Sequence, residues 1–222
     1  MRFDIMTLFP DLIESVLGES IIGRARKAGI IDVQTHNIRD YSKDKHRRVD
    51  DTPYGGGMGM LMAAPPIYNC YLDIPKSAAC HTVYMSPKGK LLDQKKVKEL
   101  SEYDQLIILC GHYEGVDQRV LDLIVDEEIS IGNYVLTGGE MPACIVVDSV
   151  ARLKEGVLSD AQCFENESLC EGMLEYPQYT RPYEFLGEKV PDVLLCGNHK
   201  EIEKWRFEQA LELTKKQRPD LL

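Results

Sequence analysis

Long apolar runs are missing from this chain. No stretch approaches the ~20 consecutive apolar residues that a bilayer-spanning helix needs. The opening residues Met1-Arg2-Phe3-Asp4 do not begin a signal-peptide-like apolar segment. The seven cysteines stand singly, with no CxxC pair and no Cys/His cluster at metal-ligand spacing. Scattered thiols in odd number are expected to stay reduced, which places the chain in the cytoplasm with no metal site. Cys70, Cys110 and Cys144 lie in apolar surroundings and read as core packing. An excess of positive charge is missing too: the formal net charge is −10, which argues against a chain-wide nucleic-acid footprint. Neither Lys nor Arg occurs from Asp126 to Ala151.

The positive charge that exists is concentrated in three places. These are Arg24 to Lys27, Lys43 to Arg48, and a C-terminal set of Lys200, Lys204, Arg206, Lys215, Lys216 and Arg218. The second is the densest, with Lys43, Lys45, His46, Arg47 and Arg48 in six positions. A run of charge is ordinarily a solvated face, so charge alone does not make any of these a site.

Period-2 and period-3.6 patterns alternate along the first two thirds of the chain. Phe3, Ile5 and Thr7 read as a strand. Pro10 then opens a helix carried by Leu12, Ile13, Val16, Leu17 and Ile21 and ending at Gly29. Ile31 to Ile38 reads as a second strand. From Arg39 to Met60 the pattern dissolves into charge and then into Tyr54-Gly55-Gly56-Gly57-Met58-Gly59-Met60, an irregular stretch of the kind that is usually functional or mobile. Three strand-to-loop transitions follow. His81 to Met85 runs into Ser86-Pro87-Lys88-Gly89, and Gln105 to Cys110 into Gly111-His112-Tyr113-Glu114-Gly115. Glu128-Ile129-Ser130 runs into Ile131-Gly132-Asn133-Tyr134-Val135-Leu136-Thr137-Gly138-Gly139-Glu140. Helical patterns over Leu91 to Leu100, Val116 to Val125 and Ala143 to Leu153 intervene or follow. Near-continuous apolar strands alternating with helices predict an α/β fold with a parallel sheet. In such sheets ligands bind beyond the carboxyl ends of the strands, so the three Gly/Pro loops are expected to build one pocket. The third loop has the glycines for close backbone approach but no basic helper and no GK[ST] ending, which favours a nucleoside without phosphates over a phosphate. After Arg152 the chain turns polar, and the last fifty residues read as a small second unit ending in a helix from Lys200 to Lys216, docked by Trp205, Leu211 and Leu213.

The motifs together resemble those of the bacterial tRNA (guanine-N1)-methyltransferases. The matching stretches are Thr7 to Pro10, Arg39-Asp40, Asp50 to Gly57, Ser86-Pro87, Cys110 to Asp117, Ile131 to Glu140, Tyr179 to Pro182, Gly197 to His199 and Trp205-Arg206, in register over nearly the whole chain. The resemblance implies a parallel-sheet α/β methyltransferase domain with a trefoil knot over residues 1–158, a linker over 159–172, and a small, mostly helical, tRNA-binding domain over 173–222. It implies a homodimer with active sites at the subunit interface, and transfer of a methyl group from S-adenosylmethionine to N1 of the guanosine 3′-adjacent to the anticodon, position 37 of tRNA.

Residues are carried over from that resemblance position by position. The methyl donor is expected against Tyr84, Met85, Ser86, Pro87, Gly111, Tyr113, Glu114, Ile131, Gly132, Asn133, Tyr134, Val135, Leu136, Gly138, Gly139 and Pro142. Relatives often carry Asp at position 133 and His at position 178, where this chain has Asn133 and Gln178. Methylation of N1 needs a base for its proton and a stabiliser for charge developing at O6. Arg152 matches the family's arginine. The family's aspartate position reads Glu167-Ser168-Leu169 here, so Glu167 is the expected base, with Asp160 and Glu165 as nearby alternatives. Lys45, His46, Arg47 and Arg48 are candidates for gripping RNA phosphates, and Asp51, Tyr54 and Arg181 for further RNA contacts. His112 reads as structural, since no Ser/His/carboxylate pattern accompanies it. Two other readings stay open: a knotted RNA methyltransferase with a different target, for which the linker carboxylate discriminates, and a non-catalytic RNA-binding protein of the same fold.

Overall fold

The computed structural model describes residues 1–158, 168–169 and 172–222. The chain divides into two compact units, Met1–Ser159 and Asp160–Leu222.

Unit one is built on five parallel strands: β1 (Arg2–Thr7), β2 (Asp32–Asn37), β5 (Cys80–Leu91), β6 (Gln105–Cys110) and β7 (Glu127–Ser130), in the order β2-β1-β6-β5-β7. The short strands β3 (Asp50–Asp51) and β4 (Leu61–Met62) pair separately and antiparallel. The central strand β6 shows why both faces must be covered. Leu106, Ile108 and Cys110 pack into one apolar cluster, and Ile107 and Leu109 into another. Alternate side chains leave opposite faces of a strand, so a strand that is apolar at every position demands a layer on each side. On one side those layers are α1 (Pro10–Leu17), α2 (Ser20–Lys27), α4 (Gln94–Ser101) and α6 (Glu140–Ala151), through Ile13, Ile22, Val97 and Val147. On the other they are α3 (Ala64–Asp73) and α5 (Gln118–Ile124), through Ile67, Cys70, Val120 and Ile124. The expected parallel α/β architecture is therefore the observed one.

Two local expectations are corrected. The single helix read from Pro10 to Gly29 is two helices, because Gly23 packs onto the Gly18 carbonyl with no space for a side chain, and the chain turns there through Ser20 at φ +54°. The stretch Ser86 to Gly89, expected as a loop, continues β5. Met85 and Lys90 both register with Ile129 of β7, so the strand bulges between them, and Gly89 lies directly on the Glu128–Ile129 backbone.

One buried polar network pins the sheet. Asp4 in β1 is fully buried and accepts hydrogen bonds from Arg2 (2.8 and 2.7 Å), His36 of β2 (2.8 Å) and Gln105 of β6 (2.7 Å). Burial alone would raise its carboxyl, but these donors outweigh that and hold it at about 2.

In unit two, β8 (Glu184–Phe185) and β9 (Glu188–Lys189) form a hairpin, followed by α7 (His199–Gln217). Ala210 and Thr214 are the buried residues of α7, while Trp205, Leu211 and Leu213 are half-buried. Trp205 packs 6.4 Å from the Tyr179 ring, and Arg206 stacks 4.8 Å over Tyr176.

A depressed carboxyl stabilises the fold above its unfolded pKa and loses that contribution as pH falls through its folded value. Asp4→Asn should therefore cost about 2 kcal/mol at pH 7. Urea unfolding should show the gap from the wild type closing between about pH 4 and pH 2.

Candidate functional site

The carboxyl ends of β5, β6 and β7 open onto one cavity of about 460 Å³, within the size range of small-molecule sites. Its walls are the β5 bulge, the loop after β6 and the loop between β7 and α6. All of the residues expected to hold a methyl donor line it except Asn133, which lies outside the lining. The cavity also takes in Lys88, His112 and Thr137, which lie within the segments expected to build it, and Leu61, Gln118, Leu121 and Glu128, which the sequence did not point to. Gln118, Leu121 and Glu128 are positions within regular elements, where sequence pattern carries no pocket signal. Leu61 comes from β4, which begins just after the stretch read as irregular from Arg39 to Met60.

Close backbone contact holds the loops together. Gly139 donates from its N–H to the Gly111 carbonyl at 2.8 Å. A side chain at Gly139 would meet the Cys110 Cα at 2.7 Å and the Gly111 nitrogen at 2.8 Å, so only glycine lets the two loops touch. Gly111 in turn lies under the Tyr84 ring, where an added carbon would sit 2.8 Å from the hydroxyl oxygen. That hydroxyl is pushed up to about 12, by burial first and then by the charge of Glu128. Tyr113 sits at φ +58°, a left-handed backbone that costs a non-glycine residue energy and is commonly kept where geometry matters.

The triple-glycine loop is tied to the cavity rim. Glu114 donates from its N–H to the Met60 carbonyl (3.0 Å), Met62 to Gly115 (2.9 Å) and Asp117 to Met62 (3.0 Å). The tip stays in solvent, with Tyr54 98 % and Met58 94 % exposed. Asp51 is exposed and its carboxylate receives the Thr52 N–H at 2.8 Å.

Glu140, the last residue of the glycine loop, is a brace: its buried carboxylate accepts from Thr7 Oγ1 at 2.8 Å, and Thr7 in turn receives the Phe9 N–H at 2.9 Å. His112 packs between Phe9 and Tyr113 (ring centroids 5.0 Å each) and lines the cavity.

Arg152 is not among the lining residues. It caps the far end of α6, a helix of about 18 Å, and borders a separate groove with Val16, Ile21, Met141, Ile145 and Asp148. Glu167 lies outside the described residues, as do Asp160 and Glu165. Lys45, His46, Arg47 and Arg48 are exposed. Part of their charge is met locally, by Arg48–Asp44 (2.9 Å) and Arg47–Asp40 (3.1 Å). The Arg48 guanidinium and the His46 N–H hold the Asp44 carboxyl well below the usual range. Arg181, in the second unit, is exposed.

A three-layer parallel α/β fold with a glycine-lined cavity at the carboxyl ends of its strands places the protein among the α/β proteins with a small-molecule-sized cavity at that position. The sequence profile described as tRNA (Guanine-1)-methyltransferase TrmD matches residues 1–222, and the chain belongs to that family. Curated relatives named tRNA (guanine-N(1)-)-methyltransferase cover all of this chain: 56% identity for the protein of Ruminiclostridium cellulolyticum (96% of its length), 54% for that of Lachnospira eligens (94%) and 53% for that of Clostridioides difficile (97%).

Gly139→Ala should force the two loops apart. Thermal unfolding should show a loss of about 1–3 kcal/mol, and amide exchange should speed up at Gly111 and Gly139.

Proposed function

We propose that this protein transfers a methyl group from S-adenosylmethionine to N1 of the guanosine at position 37 of tRNA. The observation that carries this reading is the cavity formed by the β5 bulge and the loops after β6 and β7, inside a chain that matches the methyltransferase family from end to end.

The cavity suits the donor. Its β7–α6 wall offers backbone N–H and carbonyl groups and carries no Lys or Arg from Asp126 to Ala151. Glu114 stands at the rim and Lys88 on the β5 side, so the site has an acid for a sulfonium and a cation for a carboxylate. When bound, S-adenosylmethionine supplies an electrophilic methyl carbon: the N1 electron pair forms the new C–N bond as the S–C bond breaks onto sulfur. Glu167 takes the N1 proton, and Arg152 stabilises the charge that grows on O6.

Arg152 and the cavity lie at opposite ends of α6 in one chain, which favours a site completed by a second copy. Leu12, Val16, Ile21, Met141 and Ile145, on α1, α2 and α6, are partly exposed and suit a homodimer interface. A trefoil knot is assigned to these loops, and the close contact between Gly139 and Gly111 supports that reading. The exposed basic residues 45–48, with Asp51, Tyr54 and Arg181, are assigned to tRNA, and residues 173–222 to a tRNA-binding domain. Among the described residues no helix is long and apolar enough to cross a membrane, in keeping with a cytoplasmic setting.

Incubation of tRNA with the protein and S-adenosylmethionine should create a new primer-extension stop at guanosine 37. A pool without that stop overturns the reading. Glu167→Gln should bind the donor with unchanged affinity by calorimetry and lose at least tenfold in single-turnover rate near neutral pH.

A further inference from the structure

Two consecutive acids of β7 have opposite fates, and the strand's period explains the split. Glu127 turns to one face and is fully engaged: its carboxylate meets His81 at 2.9 Å and Lys96 at 3.2 Å. Glu128 turns to the other face, opposite Tyr84 of β5 in the ladder, and lines the cavity with Gln118 and Leu121. Its Oε2 atom is buried, and it has no hydrogen-bond partner among the described residues. The adjacent Gly89 leaves no space for a side chain over the Glu128 backbone, so β5 and β7 are locked together at this point.

A buried acceptor without a donor is costly, more so when it carries charge, and folded proteins seldom keep one without a use. The charge of Glu128, after burial, makes the Tyr84 hydroxyl harder to ionise, but no described group donates to its Oε2. What remains to satisfy the oxygen is the occupant of the cavity.

We propose that Glu128 is a ligand-recognition residue: its carboxylate accepts a hydrogen bond from an O–H or N–H group of the bound methyl donor and selects for ligands that carry one there. This assignment rests on the reading of the cavity as the S-adenosylmethionine site. The donor is either a ribose hydroxyl or adenine amino group on the nucleoside half, or the α-ammonium on the amino-acid half. A site built around such a bond rejects analogues that lack it, because the buried acceptor is left unpaired again.

Calorimetry of the full-length protein with S-adenosylhomocysteine and with 5′-methylthioadenosine tests this, on the wild type, Glu128→Gln and Glu128→Met, together with thermal unfolding without ligand. Both variants should unfold no lower than the wild type, since they remove an unsatisfied charge. Both should bind S-adenosylhomocysteine at least tenfold more weakly. An equal loss for 5′-methylthioadenosine places the donor on the nucleoside half, and a loss confined to S-adenosylhomocysteine places it on the ammonium. Wild-type affinity in both variants overturns the proposal, as does a lower unfolding temperature in both, which would mean a structural partner. A wild type that binds neither compound overturns the reading of the cavity itself.

Discussion

The contact between Gly139 and the Cys110–Gly111 backbone is the constraint on which the rest of the site depends. The N–H of one loop reaches the carbonyl of the other at 2.8 Å, and no Cβ fits between them. Because Gly139 also opens α6, that single approach sets where the helix starts and where the third loop must run. Glu140, the next residue, ties the same helix end to Thr7 at the end of β1. The cavity is the space these ties leave between the carboxyl ends of β5, β6 and β7.

Around that space the polar groups divide by role. Those that support the fold are saturated: Asp4 has donors from three residues on three strands, and Glu127 holds a histidine and a lysine. Those facing the cavity are less completely paired, with His112 Nδ1 and Glu128 Oε2 both buried and unpartnered among the described residues. Unsatisfied polar atoms concentrated in a pocket are what a binding site looks like before its ligand arrives, because the same atoms elsewhere would only cost stability.

The legible parts of this site share one property: they are loops whose residue types are dictated locally. Glycines at 111, 132, 138 and 139 announce close approach, and the apolar run 105–110 announces a strand covered on both faces. The illegible parts depend on register and partners. Ser86 to Gly89 carries turn-forming residues, yet Lys90 and Leu91 find partners on β7 and the strand continues. The helix expected from residue 10 to 29 breaks because Gly23 packs directly on the Gly18 carbonyl, a contact that residue types alone do not announce. Glu128 reads as an ordinary strand acid until its neighbour across the ladder is known. The basic run 43–48 reads as pure positive charge until Asp40 and Asp44 are seen folded onto Arg47 and Arg48.

By itself the sequence determined the parallel α/β architecture, the three segments that converge and the family to which the chain belongs, since these follow from periodicity, glycine placement and motifs in register. Tertiary structure alone decided which atoms face the cavity. It sent Glu127 into an ion-pair network and Glu128 into the pocket, and it put Arg152 against a separate groove with Val16 and Ile21. The physical reason is that a strand's period is two and a helix rises about 1.5 Å per residue. Side chains adjacent in sequence can therefore end on opposite faces, and residues a few turns apart can end in different sites.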